Sequence, residues 1–319
     1  MSYTDSAIAS GNREDLKQLA TVIAATSAPV CGLLPTRKIT NKRPVVLMDS
    51  LATPSATGHV EGSDTDTGVD KFSGVGEYTG QAQRLVREWK VTREQQAHES
   101  AIVADKANAS EKALKELMRD KEKVVCGDQG KTADVPGTTA GVTAGLGDIT
   151  DSANTDFSAA YRTPTASIYS GTKADFDDAA FNAVLASMFG QGGEFLDLHL
   201  VAGTGLRSHI VEQFTRTAGA ASQIDYNMNG TAVIPYTVEM YDSDFGSVKI
   251  INGNPACMPS VDRGYVIDPR YIEWGEMWGE GSEEYEDRGS GPVGACDLYG
   301  TTLSQGPNGL GKIKFSDEA

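Results

Sequence analysis

The chain has 319 residues, a formal net charge of −16 and 39% hydrophobic residues, which suffices for one large domain or two smaller ones. The acidity argues against a protein whose main affinity is for nucleic acid, because phosphate neutralisation needs Lys and Arg. No basic segment precedes an apolar run at the N-terminus, and no window approaches the ~18 apolar residues of a membrane span. The sequence therefore predicts neither a signal peptide nor contact with a membrane.

The N-terminal third is predicted to combine short elements with a long polar loop. Arg13–Ala25 has helical periodicity, and Arg43–Met48 reads as a strand. Ser55–Gly80 is polar, rich in glycine and too long for an ordinary loop inside a compact domain. We expect it either to be disordered or to project as an arm that a neighbour orders. Partial alternation then predicts a strand over Arg84–Thr92 with one covered face.

A long charged helix is predicted from Arg93 to Val125, within a stretch from Gln81 to Cys126 that contains neither Gly nor Pro. At about 1.5 Å per residue it is about 50 Å long. Its apolar stripe is narrow, and exposed ion pairs on a helix contribute only a few tenths of a kcal/mol. The helix must therefore be docked on another surface, which favours a protein that completes its packing with copies of itself.

The second half is predicted to mix helices and strands. Gly127–Ile149, made largely of Gly, Thr and Ala, is interpreted as a flexible insertion, and the tail from Gly279 to Ala319 is expected to hold turns and short strands at best. Periodicity predicts helices over Thr172–Phe189, with Thr172 and Asp175 as a capping box, and Leu206–Thr215, and strands over Phe195–Ala202, Thr231–Met240, Val248–Ile251 and Gly264–Trp278.

Two glycine-containing segments imitate nucleotide-binding motifs. Gly130-Lys131-Thr132 resembles the end of a P-loop, but the first glycine of that motif is replaced by Val125 and the segment follows a helix. Gly203-Thr204-Gly205 follows a strand, but Ser208 stands where the third glycine of a dinucleotide fingerprint belongs. We interpret both segments as ordinary turns and predict no cofactor.

The potential metal ligands and nucleophiles form no recognisable constellation. The histidines His59, His98, His199 and His209 make no HExxH pattern, so no metal site is predicted, and His199 is interpreted as a partly buried histidine with satisfied hydrogen bonds. The four cysteines form no CxxC pair and are expected to be reduced, partly buried thiols. The acidic clusters 64–70 and 283–287 lack EF-hand spacing and are interpreted as solvated charge.

Several stretches together resemble the major head (capsid) proteins of tailed phages, in the branch long catalogued as a domain of unknown function. Their order and spacing run from about Arg13 to Ile313. The stretches that carry the resemblance are Asp49–Pro54, Glu61–Asp64, Lys112–Glu122, Ser243–Gly246 followed by Val248–Ile251, and Asp268–Pro269 with Tyr271.

The resemblance implies an α+β tailed-phage major capsid protein fold with an N-terminal arm, an extended β-hairpin loop, a long spine helix, a peripheral domain and an axial domain. No scaffold-like extension precedes Arg13, so a cleaved prodomain is not expected. The implied divisions are 1–54 for the arm and first strand, 55–92 for the extended loop, 93–184 for the peripheral domain with spine helix and glycine-rich loop, 185–265 for the axial domain, and 266–319 for the return strands and tail.

The resemblance predicts a non-catalytic subunit that self-assembles, as hexamers and pentamers, into the icosahedral head of a tailed double-stranded DNA phage. It implies assembly in the host cytoplasm, with scaffold, portal and decoration proteins as further partners, and packaged DNA enclosed without sequence-specific binding. On the arm, Lys71, Arg84, Arg87 and Lys90 are the residues expected to contact acidic neighbours. Trp89 is the expected apolar anchor, and Trp89→Ala is expected to impair assembly more than folding.

Two alternatives remain open from the sequence. The first is an α/β hydrolase or transferase with a site near residues 203–216, for which no nucleophile and base are evident. The second is another virion part, such as a tail-tube or decoration protein, which the long helix disfavours because tail tubes are mostly β.

Overall fold

The computed structural model describes residues 28–51, 54–56, 58–62, 74–94, 106–192, 197–216, 225–226, 232–233, 240–286 and 291–317. Within these ranges no helix is long and apolar enough to cross a membrane. The predicted helix Arg13–Ala25 and the loop residue Lys71 lie outside the described residues.

Helices and strands are mixed along the first two thirds of the chain, and strands predominate after residue 216. The α-helices are α1 (Pro29–Leu33), α2 (described over Lys106–Cys126), α3 (Leu146–Ile149), α4 (Asp178–Gly192) and α5 (Thr204–Arg216), with single 3₁₀ turns at Ala159–Tyr161, Thr165–Ser167 and Pro307–Gly309. The strands are β1 (Thr36–Lys38), β2 (Val45–Met48), β3 (Gly76–Thr79), β4 (Gln83–Lys90), β5 (Ile168–Tyr169), β6 (Leu198–Ala202), β7 (Asp225–Tyr226), β8 (Ala232–Val233), β9 (Met240–Ser243), β10 (Gly246–Asn252), β11 (Gly264–Ile267), β12 (Ile272–Tyr285), β13 (Val293–Ser304) and β14 (Gly311–Ile313).

The chain forms two compact units. Of the described residues, the larger unit contains those within 25–85, 118–279 and 298–319, and the smaller contains those within 86–117 and 280–297. The division passes through α2, β4, β12 and β13, which are continuous elements.

The larger unit is built on a six-stranded sheet in the order β5-β14-β11-β6-β10-β9. Its central strand β6 runs parallel to β10 and antiparallel to β11, and all five of its residues are buried. α4 supplies the apolar face that packs with this sheet. The resulting core contains Phe176, Phe181, Val184, Leu185, Met188, Leu198, Leu200, Leu206, Ile210, Val248, Val266, Ile313 and Phe315. Apolar burial of this extent is the main favourable term in folding.

The second large sheet has four strands in the order β1-β12-β13-β4. β1 runs parallel to β12, with Thr36 opposite Trp274 and Lys38 opposite Glu276. In the smaller unit α2 lies along this sheet, since the Ser110 and Ser282 hydroxyls are 2.9 Å apart and Lys106 pairs with Glu284.

The predicted helix of the second half is confirmed, but its start is different. The helix begins at Asp178, six residues later than expected, and its cap is Asp177, whose Oδ1 accepts the Ala180 N–H at 2.8 Å. Thr172 and Asp175 do hydrogen bond to each other at 2.6 Å, in the preceding turn. A carboxylate one position before a helix satisfies its free N–H groups, and Asp177 is the residue placed to do so.

The prediction of a flexible insertion over Gly127–Ile149 is wrong for its second half, because Thr143, Ala144, Leu146 and Ile149 are fully buried. The first half folds back on itself through antiparallel bridges between Thr132 and Val142 and between Val135 and Thr139. The segment is ordered because backbone hydrogen bonds hold it in place. Its small and polar residues show no apolar periodicity, so the sequence does not indicate this order.

The strand predicted over Gly264–Trp278 is two strands, β11 and β12, separated by a turn in which the Tyr271 N–H donates to Asp268 O at 3.0 Å. The expectation of only short strands in the tail is wrong. β12 continues to Tyr285, and β13 extends over 12 residues. Glycines at 279, 281, 294 and 300 lower the strand propensity of this region, because glycine is depleted in strands. The sequence therefore did not predict the two long strands.

Candidate subunit-contact surfaces

An antiparallel ribbon of β2 and β3, here called the arm ribbon, forms the base of the predicted extended loop. Val45 lies opposite Thr79 and Met48 opposite Gly76. Alternate residues of a strand point to opposite faces, and here Val46, Met48 and Tyr78 are buried. Tyr78 stacks on Phe157 with ring centroids 4.4 Å apart, which fixes the ribbon to the larger unit.

The other face of the arm ribbon carries apolar side chains that the described chain leaves in solvent. Val45 is 50% exposed and Leu47 is 69% exposed. Leu51, at the start of the loop that follows β2, is 98% exposed. Large apolar side chains exposed together on one face are typical of a surface that another molecule or another part of the chain covers.

Hydrogen bonds hold the root of the arm ribbon firmly. The Gly80 N–H donates to Pro44 O at 2.9 Å and the Ala82 N–H donates to Lys42 O at 2.8 Å. Lys42 pairs with Asp134 at 3.1 Å, and the Tyr161 hydroxyl donates to Gly74 O at 2.7 Å. The exposed apolar face is therefore presented by a fixed base.

β4 carries four of the five residues expected to contact neighbours, and three of them are exposed: Arg84, Arg87 and Lys90. The Arg84 guanidinium lies over the Trp278 ring, 5.9 Å from its centroid. Lys71, the fifth residue, is among the residues that the structure does not describe.

Trp89, the expected anchor, is buried within its own chain. A Cβ atom added to Gly294 would lie 2.4 Å from the Trp89 ring, so the indole rests directly on the β13 backbone. Its burial is a reason to expect Trp89→Ala to destabilise the subunit as well as the shell. A larger effect on assembly than on folding stays a prediction.

The sequence did not predict a buried carboxylate on α2 that holds the first turn of α1. Glu122 on α2 is fully buried and accepts the N–H of Val30 at 3.0 Å and the N–H of Cys31 at 2.8 Å. The sequence gives no sign of this, because Glu122 belongs to an uninterrupted run of charged residues, Arg119–Lys123, in which nothing marks it as the one that accepts two backbone hydrogen bonds.

The four cysteines form no disulfide, as expected. The Cys126 Sγ lies 3.9 Å from a Glu122 oxygen. Burial, and after it the charge of Glu122, raises the pKa of the Cys126 thiol well above its usual value. A thiol held protonated is a poor nucleophile, so Cys126 is placed for packing rather than for chemistry.

The lysine of the P-loop-like segment has structural partners. Lys131 pairs with Asp156 at 2.9 Å, donates to Thr79 O at 3.2 Å and lies over the Tyr78 ring. These contacts join Lys131 to the base of the arm ribbon.

The turn at Gly203-Thr204-Gly205 is the tight turn that the sequence predicts. The Gly203 N–H donates to Arg263 O at 2.9 Å and the Gly205 N–H donates to Val261 O at 2.8 Å. A phosphate cradle needs such amides to point at the ligand, whereas these two are used by the backbone.

The two histidines near this turn also have backbone partners. His209 Nε2 lies 2.9 Å from Phe176 O, and His199 Nδ1 lies 3.1 Å from Asp197 O. His199 is thus the buried histidine with satisfied hydrogen bonds that the sequence predicts. Among the described residues no group of three or more potential ligands could hold a metal ion.

A cavity of about 640 Å³ in the larger unit is lined by polar groups that include Ser170, Ser260 and Lys314. Its most buried charge, Arg263, pairs with Asp128 at 2.7 Å. The charge of Arg263 is thereby compensated within the protein, and no histidine lines the cavity.

Comparison with known proteins identifies the family. The family model described as SU10 major capsid protein matches residues 3–291. The chain belongs to the SU10 major capsid protein family. It is a structural head-shell subunit that assembles with copies of itself and is located in the virion, and nothing favours the hydrolase or tail-tube alternative.

Solved structures of a GTA capsid and of two phages share the fold over nearly the whole chain. The capsid of the native GTA particle, computed with C5 symmetry, matches with TM-score 0.61 and 14% identity, covering 98% of this chain and 96% of that chain. The structure of Mycobacterium phage Bobi matches with TM-score 0.60 and 13% identity, covering 97% and 96%. That of Gordonia phage Cozz matches with TM-score 0.57 and 15% identity, covering 98% of both.

At these identities the likeness establishes the fold, which confirms the predicted α+β tailed-phage major capsid protein fold. No curated protein sequence matches the chain.

Proposed function

We propose that this subunit builds, as hexamers and pentamers, the icosahedral head shell of a tailed double-stranded DNA phage, and that it catalyses no reaction. The observation that carries the proposal is the outward face of the arm ribbon. Val45, Leu47 and Leu51 hold apolar surface in solvent on a firmly rooted element. Covering that surface with a neighbouring subunit releases ~25 cal/mol per Å² of apolar area, repeated at every contact of the shell.

The proposal gives each part of the chain a place in the shell. Residues 1–54 and 55–92 reach over neighbours as arm and extended loop, 93–184 with 266–319 form the peripheral domain, and 185–265 form the axial domain. On the extended loop, Lys71, Arg84, Arg87 and Lys90 contact the neighbouring subunit, with Trp89 anchoring the strand beneath them. The exposed positions of Arg84, Arg87 and Lys90 support this assignment.

The net charge of −16 supports a container that holds DNA weakly, since an acidic wall repels the phosphate backbone. DNA is enclosed without sequence-specific contacts, and no cofactor or metal is required. Assembly takes place in the host cytoplasm, with scaffold, portal and decoration proteins as additional partners.

The test replaces an apolar side chain of the arm ribbon by a charge. Val45→Glu and the control Val261→Glu alter valines that are 50% and 51% exposed, so neither change disturbs a core. We expect Val45→Glu to lower the fraction of protein in shells, measured by sucrose-gradient sedimentation and electron microscopy, at least tenfold, because burying an unpaired carboxylate costs roughly several kcal/mol. Val261→Glu should assemble like the wild type.

Both variants should keep the thermal midpoint of the wild-type subunit, since both side chains are in solvent. Normal shells from Val45→Glu would refute the docking of the arm ribbon on a neighbour.

A further inference from the structure

The far end of β12 has one edge that no strand pairs with among the described residues. β1 pairs with β12 only from Trp274 to Glu276, and within the described residues no strand pairs with that edge beyond Glu276. From Trp278 to Glu286 every residue except the half-buried Gly281 is exposed. An open edge of this length is a template for pairing with another chain.

The same segment is strongly acidic. Residues 280–286, here called the acidic strand end, contain four glutamates and no basic residue. Ser282 and Glu284 face α2 through Ser110 and Lys106. Because side chains alternate along a strand, Glu283 lies on the face away from α2. Glu286 lies one residue beyond the end of β12, and both glutamates are exposed.

The opposite margin of the four-stranded sheet has the opposite charge. β4 is the last strand of that sheet, and within the described residues its outer side pairs with no other strand. Residues 84–93, here called the basic edge, contain Arg84, Arg87, Lys90 and Arg93 against the single acid Glu88, so the balance is 4 − 1 = +3. Lys90 is exposed.

Symmetry then restricts how two copies can use these margins. A two-fold contact would place acidic strand end on acidic strand end, or basic edge on basic edge, and like charges opposite one another are destabilising. Contact between the two different margins is head-to-tail, and repeated head-to-tail contacts close into rings when the rotation permits.

We propose that the acidic strand end of one copy docks along the basic edge of a second copy, so that the four-stranded sheet continues from subunit to subunit within a ring. The inference rests on the proposed function, because it names the surface that receives the basic residues of the extended loop. Its partner chemistry is fully specified: Glu283 and Glu286 of one copy face Lys90 and its neighbouring arginines of the next.

The first test is zero-length coupling of carboxylates to amines by a carbodiimide in assembled particles. Shells are made from an equal mixture of ¹⁴N- and ¹⁵N-labelled subunits, because Lys90 and the acidic strand end of a single copy are only two strands, or about 9.5 Å, apart. We expect peptides that join Lys90 to residues 280–286 with mixed isotopes. Coupling of residues 280–286 to Lys17, the lysine before Ala28, would instead assign this edge to an N-terminal segment, of the same copy where each peptide carries one isotope and of a neighbour where isotopes are mixed. Either result would overturn the proposal.

The second test reverses the charges. Glu283→Lys/Glu286→Lys and Arg87→Glu/Lys90→Glu should each lower the assembled fraction at least about tenfold, and the quadruple variant should recover to within about threefold of the wild type. Glu111→Lys/Glu116→Lys, on α2, changes the same number of charges and should stay within about twofold. Circular dichroism of the unassembled subunits checks that each variant folds.

The outcomes separate this inference from the proposed function. Wild-type shells that yield no mixed-isotope coupling, or that tolerate both reversals, overturn the inference and leave the shell function intact. Failure of the quadruple variant to recover, with folding intact, also overturns it. Absence of any ring or shell from the wild type contradicts the proposed function itself.

Discussion

Glu122 fixes the first turn of α1 on α2. Replacing Glu122 with Ala removes the acceptor of two N–H groups, the buried one of Val30 and the partly buried one of Cys31. We expect a loss of about 2–4 kcal/mol of unfolding free energy, since hydrogen bonds to a charged group are worth ~1.5–3 kcal/mol each and are not additive. Urea denaturation of the unassembled subunit measures it.

Glu122→Gln is the matched control, because it keeps one acceptor oxygen and the volume. It should lose less than half as much as Glu122→Ala. Equal stability of Glu122→Ala and the wild type would show that the contact does not hold the segment.

Tyr265 gives the subunit a defined sensitivity to alkali. Its hydroxyl donates to Cys126 O at 2.9 Å, and burial, with Asp128 as the next cause, raises the pKa of the phenol well above its usual value of 10.0. Above about pH 10 the unfolded chain releases this proton while the native state keeps it, so the stability due to Tyr265 is complete below pH 10 and is lost as the pH rises.

Tyr265→Phe should therefore be about 1 kcal/mol less stable than the wild type at pH 7, through the lost hydrogen bond. The gap should narrow by about 1 kcal/mol between pH 9 and 11, because each pH unit of differential titration is worth ~1.36 kcal/mol. Urea titrations of both proteins between pH 9 and 11 measure this difference in unfolding free energy. A gap that stays constant would contradict the assignment.

The structural role of single residues was predictable where a sequence resembled a known motif but lacked one of its required residues. Val125 and Ser208 stand where the glycines of two nucleotide motifs belong, and the structure gives Lys131 and the 203–205 turn structural contacts. The role of Glu122 could not be predicted, because it depends on a segment about 90 residues away in the sequence.

At the scale of elements, β12 and β13 approach so closely that only glycine fits at position 294. A Cβ atom there would lie 2.4 Å from the Trp89 ring and 2.5 Å from Glu283 O. Gly294→Ala is expected to cost about 1–3 kcal/mol of unfolding free energy, since neither the packed ring nor the strand backbone can shift freely.

The control for this substitution is Gly190→Ala in α4, where a Cβ atom meets nothing within 4 Å. It should stabilise the subunit by about 0.5–1 kcal/mol, through the higher helix propensity of alanine. Thermal unfolding of both variants measures the contrast. A neutral Gly294→Ala would mean that β12 and β13 can separate locally.

Elements with strong periodicity were predictable, and those set by long-range pairing were not. α4, α5 and β6 follow their apolar patterns, and the C-terminal end of the spine helix lies within one residue of the expected Val125. The full lengths of the paired strands β12 and β13 were not predicted, because their sequences contain glycines and exposed acidic residues instead of the alternating apolar residues of a half-buried strand. The first part of the predicted spine helix, 95–105, lies outside the described residues.

For the whole molecule, the sequence predicted the kind of protein better than its internal detail. The long helix with too narrow an apolar stripe, and the polar loop too long for a compact domain, both indicated a chain that is completed by its neighbours. The match to the SU10 major capsid protein family over residues 3–291 confirms that reading. The identity of the neighbouring surfaces could not be read from local patterns, because an interface pairs segments of different copies.

Electron microscopy of the wild-type protein, produced alone and purified by size-exclusion chromatography, tests the central claim most directly. We expect closed shells, or rings of five and six subunits. In the reconstruction of these particles, the arm ribbon of each subunit should lie on its neighbour. A monodisperse monomer at every concentration, or particles in which the arm ribbon faces solvent, would contradict it.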